Sequence, residues 1–245
     1  MRIDAPALVC AVKAHGEHGA VVRLMTERHG LQAAYVRGAR GRRMRAVLIP
    51  GNRVQARLSA RTDTQLAHAE VELDHSLAPL IQEPLPASAV EWLTTLTATT
   101  LPEGQPYPGI YLLLEAVLQA VEAAPSASGW GAALVRYELL LLAELGFGLD
   151  LDRCVLSGST CDLVAVSPRS GRAVSSAEAA PYRQQLLPLP QFLQTGGPGT
   201  WLEILQGLEL TGHFLVRDLL TERTAHLADT RERLVERMRR AAAPS

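Results

Sequence analysis

The sequence predicts an α+β chain in which a small closed β-barrel precedes a larger helical domain. Three observations carry that expectation. Short segments with period-two alternation follow one another through roughly the first 73 residues. Near residue 77 the period becomes helical. The charge changes at the same place. Residues 1–77 hold twelve Lys and Arg against seven Asp and Glu, a net +5, and the remainder holds twelve against eighteen, a net −6. A chain total of −1 hides this division. A basic region before an acidic one points to two domains with different partners, the first of them anionic. The expected domains are residues 1–77 and 78–245. At 47% apolar residues, both have material for a core.

The barrel strands are read in order as Leu8–Val12, Ala20–Thr26, Leu31–Val36, Arg53–Ser59 and Gln65–Leu73. The fourth is the clearest: Val54, Ala56 and Leu58 take one face, and Arg53, Gln55 and Arg57 the other. Turns fall at His15-Gly16, His29-Gly30 and Pro50-Gly51-Asn52. Five short strands in about 70 residues suit an OB-fold, the commonest small five-stranded barrel.

Beyond residue 77, Ser88-Ala-Val-Glu91 reads as a capping box opening a helix towards Thr100. Pro102 to Gly109 breaks the chain, and Ile110–Ala123 is helical and apolar. After Pro125 and a Ser/Gly linker comes Trp130–Leu145, apolar nearly all round and so buried, with Gly146-Phe-Gly148 ending it. Residues 149–176 form an irregular excursion with a hairpin, Leu163–Val166 against Ala173–Ser175. A helix resumes near Ala177, and Pro188 and Pro190 interrupt it. Thr200-Trp-Leu-Glu203 is a second capping box, opening a helix through Leu220, and a charged last helix spans about Ala225–Arg240.

The stretch Arg37-Gly-Ala-Arg40-Gly-Arg42-Arg43-Met-Arg45 has five arginines, two glycines and no acid. It cannot bury itself, so it reads as a mobile, positive loop. Such a loop is either a solvated surface or a phosphate grip. The second is favoured because the cations are arginines, which fork onto phosphates, and because the loop lies between two barrel strands. Arg53 and Arg57 share an outer strand face that continues from it. Tyr35 is the nearest aromatic residue, so a grip on the backbone is expected more than base stacking, with little sequence preference.

No catalytic constellation is present: no P-loop, no G-x-S-x-G and no H-E-x-x-H. An enzyme is therefore not expected, and neither is a cofactor. His15, His18 and His29 sit near turns as solvated polar residues, His213 is a core or boundary histidine, and Asp150 and Asp152 serve turn or cap chemistry. Cys154 and Cys161 lack the four ligands of a structural zinc site, so no metal is expected. With no signal peptide and no apolar run long enough to span a membrane, a cytoplasmic protein with reduced thiols is expected, not associated with a membrane.

Several fragments in a shared order resemble one family. They are Gly16-Glu17, Leu24-Met-Thr26 with His29-Gly30, Gly38-Ala-Arg40, and Leu48-Ile-Pro50. Further on come Arg136-Tyr-Glu138-Leu, Leu145-Gly-Phe-Gly148, Asp152-Arg-Cys154, Val166-Ser-Pro168-Arg-Ser-Gly171, and Leu210-Thr-Gly212-His-Phe214-Leu. Together they resemble the RecO family of recombination mediators and DNA-annealing proteins, over nearly the whole chain. The resemblance implies an N-terminal OB-fold and a C-terminal helical domain with a zinc-finger-like insertion at 149–176. Members that keep the zinc hold it with four cysteines, whereas this chain keeps Cys154 but has Ser157, Ser175 and Glu178 near the other positions. The resemblance also implies annealing of complementary DNA strands without ATP hydrolysis. It implies loading of RecA onto strands coated by single-stranded-DNA-binding protein, with RecR and often RecF.

The residues expected to bind single- and double-stranded DNA are Arg37, Arg40, Arg42, Arg43, Arg45, Arg53 and Arg57. In the helical domain the resemblance implies docking of the acidic, Phe-ending tail of single-stranded-DNA-binding protein. Arg136, beside Trp130, Leu134 and Leu139, is the cation placed to meet its carboxylate, with an ion pair to Glu138 or Glu144 as the alternative. The competing function is a protein-interaction scaffold in which the acidic helical domain does the work.

Overall fold

The computed structural model describes residues 1–62, 65–124, 126–220 and 224–243, so Pro125, expected to open the linker, lies outside them. The chain divides into two compact units, Met1–Glu122 and Ala123–Ser245.

The first unit is built on a closed barrel. Its strands are β1 (Arg2–His15), β2 (Gly19–Thr26), β3 (Gly30–Val36), β4 (Arg53–Ser59) and β5 (Ala67–His75), in the order β1-β2-β3-β5-β4. This is the expected OB-fold barrel. β1 is much longer than expected. Its first half, Arg2–Leu8, pairs with β4, and its second half runs to His15 beside β2. A bulge between Val9 and Ala11 bends the strand from one partner to the other. β3 and β5 close the barrel in parallel through Ala34↔Ala67 and Tyr35↔His68. The interior is small: Ala7, Val9, Val22, Ala34, Val36, Val54 and Ala56 fill it with Leu24 and Leu58. Short side chains suit a barrel of five strands, whose bore leaves room for little else.

The arginine stretch is not the mobile loop expected. After a turn it forms a short helix, α1 (Arg42–Val47). Ala39, Val47 and Leu48 are buried in the barrel cluster and Met44 packs against it, so the apolar residues between the arginines anchor the segment. Asn52, fully buried, pins its end. Its Nδ2 donates to the carbonyls of Ala46 and Val47, both at 3.0 Å, and its Oδ1 accepts from the Leu77 N–H at 2.9 Å. One amide thereby satisfies two open carbonyls of α1.

Two helices complete this unit, α2 (Pro84–Thr100) and α3 (Pro108–Ala123). The helix starts at Pro84 and not at a Ser88 cap. Proline suits the first helical turn, where its missing N–H is no loss. The Ser88 hydroxyl instead donates to the Pro84 carbonyl at 2.8 Å. Arg23 of β2 donates to the Ala98 carbonyl near the end of α2 and to Glu103 at 2.8 Å, which ties that helix end to the barrel.

The second unit contains α4 (Gly131–Glu144), β6 (Leu163–Val166), β7 (Ala173–Ser175), α5 (Ser176–Ala179), β8 (Leu187–Pro188), α6 (Phe192–Thr195), α7 (Trp201–Asp218) and α8 (Ala225–Ala242). The expected hairpin is β6–β7, and β8 adds a third antiparallel strand that the prolines had concealed. The Thr200 capping box is present: its hydroxyl accepts from the Glu203 N–H at 3.3 Å, and Glu203 Oε2 accepts from the Thr200 N–H at 2.9 Å. Those contacts hold the Glu203 carboxyl below the usual range. α4 packs on α7 across Gly207, where an added Cβ would lie 2.9 Å from Val135. Among the described residues no helix is long and apolar enough to cross a membrane.

Candidate nucleic-acid interface

The structure divides the seven arginines expected to bind DNA into three groups. Arg37, Arg42 and Arg43 are exposed, and among the described residues their guanidinium groups have no partner. Arg40 and Arg45 spend part of their donor capacity on the backbone. Arg40 Nη1 donates to the Glu17 carbonyl at 3.1 Å, and Arg45 Nε donates to the Arg40 carbonyl at 2.8 Å. With the Arg40 N–H on the His18 carbonyl at 3.4 Å, these bonds rest the arginine turn on the β1–β2 turn. The segment is therefore a supported ledge with three open cations.

Arg53 and Arg57 lie on the expected outer face but are occupied. Arg53 Nε donates to Asp74 at 2.5 Å and Nη1 to Glu115 at 3.0 Å. Glu115 and then Asp74 stabilise its charge and raise its pKa further. Arg57 lies 3.4 Å from Asp4 and stands opposite Glu70 in the β4–β5 register, where Glu72 faces Gln55. β5 thus lays a row of acids beside the basic face of β4. Arg37, Arg43 and Arg57 still border one groove of about 740 Å³, with Met44, Glu70 and Glu72 among its walls.

The structure also assembles a feature that reading along the chain did not give. Lys13, Val21, Tyr35 and His68 are successive cross-strand neighbours over β1, β2, β3 and β5. Tyr35 is half-buried, and its ring occupies the space that a Cβ on Gly19 would take. The imidazoles of His15 and His68 stand nearly perpendicular to it, at 6.0 and 5.6 Å between centroids. Strand parity alone marks Tyr35 and His68 as outward residues, but only the register brings them together.

In the second unit Arg136 is half-buried. Its Nη2 donates to the carbonyls of Phe192 at 2.9 Å and Gly197 at 2.5 Å, and the guanidinium lies 5.1 Å from the Phe192 ring centroid. Its Nε and Nη1 have no hydrogen-bond partner among the described residues. Glu138, weighed as its ion-pair partner, bonds Arg231 instead.

At the insertion, Cys154 is buried and Cys161 exposed. Cys154 Sγ accepts from the Ser175 N–H at 3.3 Å and lies 3.5 Å from its hydroxyl. Burial pushes this thiol up, but hydrogen bonds from Ser157 and Ser175 outweigh it and bring the pKa down to about 6. A structural zinc needs four donors. The hydrogen-bond donors of two serines face the Cys154 sulfur, and among the described residues no three His, Cys, Asp or Glu gather as a metal would need. This donor set does not fit the metal that the family resemblance implies.

The fold and site define a class: an OB-fold barrel with open cations on its β3–β4 connection, joined to a helical unit whose finger-like insertion lacks, among the described residues, a cluster of metal ligands. The comparisons make it particular. Residues 1–73 match the family model for the N terminus of recombination protein O, and residues 84–225 match that for its C terminus. The chain is 42% identical over 240 residues to a DNA repair protein RecO of Gluconacetobacter diazotrophicus, covering 96% of this chain and 94% of the relative. It is 44% identical over 217 residues to that of Phenylobacterium zucineum, covering 88% of each, and 42% identical over 238 residues to that of Rhodospirillum centenum, covering 96% of this chain and 94% of the relative. The chain belongs to the RecO family of DNA repair proteins.

Proposed function

We propose that this protein binds single- and double-stranded DNA and anneals complementary strands. With RecR, and with RecF where it takes part, it would help load RecA onto strands coated by single-stranded-DNA-binding protein. Residues 1–77 would hold DNA and residues 78–245 the protein partners. The observation that carries this reading is the ledge bearing Arg37, Arg42 and Arg43, three open cations held by a buried apolar anchor. Phosphates of two strands repel, and neutralising them on a fixed cationic surface lets bases approach and pair. Arg40 and Arg45 would add to the grip with their remaining N–H groups. Arg53 and Arg57, already countered by acids, would contribute least. The mechanism needs no nucleophile and no cofactor, only charge and geometry.

The tail of single-stranded-DNA-binding protein would dock at Arg136. Its open Nε and Nη1 groups would take the terminal carboxylate, while the bonds to Phe192 and Gly197 hold the side chain in place. Annealing of complementary oligonucleotides by the bare protein tests the main reading. Acceleration that is lost when Arg37, Arg42 and Arg43 become alanine supports it. Binding of partners without any annealing would leave only the scaffold function.

A further inference from the structure

The row of rings on the barrel has a chemistry of its own. Tyr35 is fixed between strands, its ring on the Gly19 backbone, with an imidazole standing at right angles in each direction across the sheet. His15 and His68 are exposed. Among the described residues neither imidazole has a hydrogen-bond partner, and neither does the Tyr35 hydroxyl. Three rings with open polar tips on a solvated sheet are not explained by core packing. The charge around them is mixed but leans basic. Lys13 shares their row, Arg37 follows Tyr35 by two residues, and Arg40 bonds the turn just after His15, while Glu17 and Glu70 are the nearby acids in sequence.

We propose that Tyr35, with His15 and His68, forms a stacking platform for unpaired bases of single-stranded DNA whose phosphates lie on the arginine ledge. The proposal rests on the DNA-binding reading above and sharpens it. Ring stacking accepts any base, because every base has a π face, so it adds affinity for single strands without sequence preference. A duplex hides its base faces and would engage the cations alone. The platform would thus give an annealing surface a preference for strands not yet paired.

The test compares two ligands of equal length, an oligo-dT and an abasic phosphodiester chain, by fluorescence anisotropy. Wild-type protein should bind oligo-dT about five- to a hundred-fold more tightly, the range of one stacked base or a little more. Tyr35→Leu should lose most of that preference while Tyr35→Phe keeps it. His15→Ala/His68→Ala, at exposed positions that leave the core intact, should weaken it. Equal binding of the two ligands by wild type would overturn the proposal, whether or not any variant folds. So would a full preference surviving in both Tyr35→Leu and the histidine double variant. Binding of the abasic chain reports the phosphate grip separately. If Arg37, Arg42 and Arg43 can be removed without weakening it while the base preference persists, the ledge assignment fails and the platform stands.

Discussion

Arg231 of α8 clasps Glu138 of α4 with two bonds of 2.9 Å, Nε to Oε1 and Nη2 to Oε2. Glu138 is fully buried and the Arg231 side chain is only 11% exposed. Nη2 also donates to the Leu208 carbonyl at 2.7 Å, and the Thr211 hydroxyl donates to Glu138 Oε2. The pair therefore joins α4, α7 and α8 through a network whose acceptors are met. An added Cβ at Gly212 would lie 2.3 Å from Arg231 Nη1, so the bare backbone there makes room for the guanidinium.

A carboxylate stranded at that depth is costly. Arg231→Ala is expected to destabilise the protein by about 3–5 kcal/mol. Replacing both residues, as Glu138→Leu/Arg231→Leu, should recover much of the loss, because no buried charge is left alone. Chemical denaturation of the two variants checks this. A double variant as unstable as the single one would show that packing, not the orphaned charge, sets the cost.

Asn52 offers a second check, this time on the barrel. Asn52→Ala leaves the carbonyls of Ala46 and Val47 and the N–H of Leu77 without their partner. The expected cost is about 1–3 kcal/mol for buried polar groups left unmet. Because the amide pins the end of α1, hydrogen exchange should quicken first at residues 42–48. Uniform quickening across the barrel, with no bias to α1, would contradict the anchoring role.

Much of this was legible in the sequence, and the failures share a cause. The hairpin Leu163–Val166 with Ala173–Ser175 and the Thr200 cap are local patterns, and both appear where the residues place them. Ser88-Ala-Val-Glu91 has the same local pattern, but Pro84 starts the helix a turn earlier and leaves Ser88 inside it. β1 runs beyond the expected Leu8–Val12 at both ends, and even Pro6 lies within it, paired with Gln55 on β4. The arginine segment looked too charged to order, and its anchors, Ala39, Val47 and Leu48, are few and scattered. What a single chain pass cannot give is register. The pairing of Arg57 with Asp4 and the meeting of Tyr35 with His68 depend on residues 53 and 33 positions apart in sequence, joined only by how strands align.

The Cys154 thiol gives a pH signature. Its pKa falls from the ordinary 9.0 to about 6 in the folded protein. The folded state then binds fewer protons than the unfolded one between those values, so stability from this group rises with pH. It is complete above about 9 and is lost as pH falls through about 6. Stability measured from pH 6 to 9 should rise more steeply in wild type than in Cys154→Ala. Parallel profiles would show that the serine hydrogen bonds do not hold a thiolate.

For the helical unit, a fluorescent peptide ending in acidic residues and phenylalanine should bind wild type more tightly than Arg136→Ala, by roughly 1.5–3 kcal/mol. Annealing by the bare protein should be unchanged. Equal peptide binding by a folded variant would leave Arg136 as a clamp on the Phe192 and Gly197 carbonyls and nothing more.

The central claim is that the ledge grips phosphates. Its most direct measurement is the salt dependence of single-stranded DNA binding. Each neutralised phosphate contributes about −0.7 to the slope of log affinity against log salt, so three lost contacts should flatten it by about two units. Arg37→Ala/Arg42→Ala/Arg43→Ala is expected to show that flattening together with weaker binding, and Arg53→Ala/Arg57→Ala a much smaller change. A folded triple variant with the slope and affinity of wild type would contradict the account.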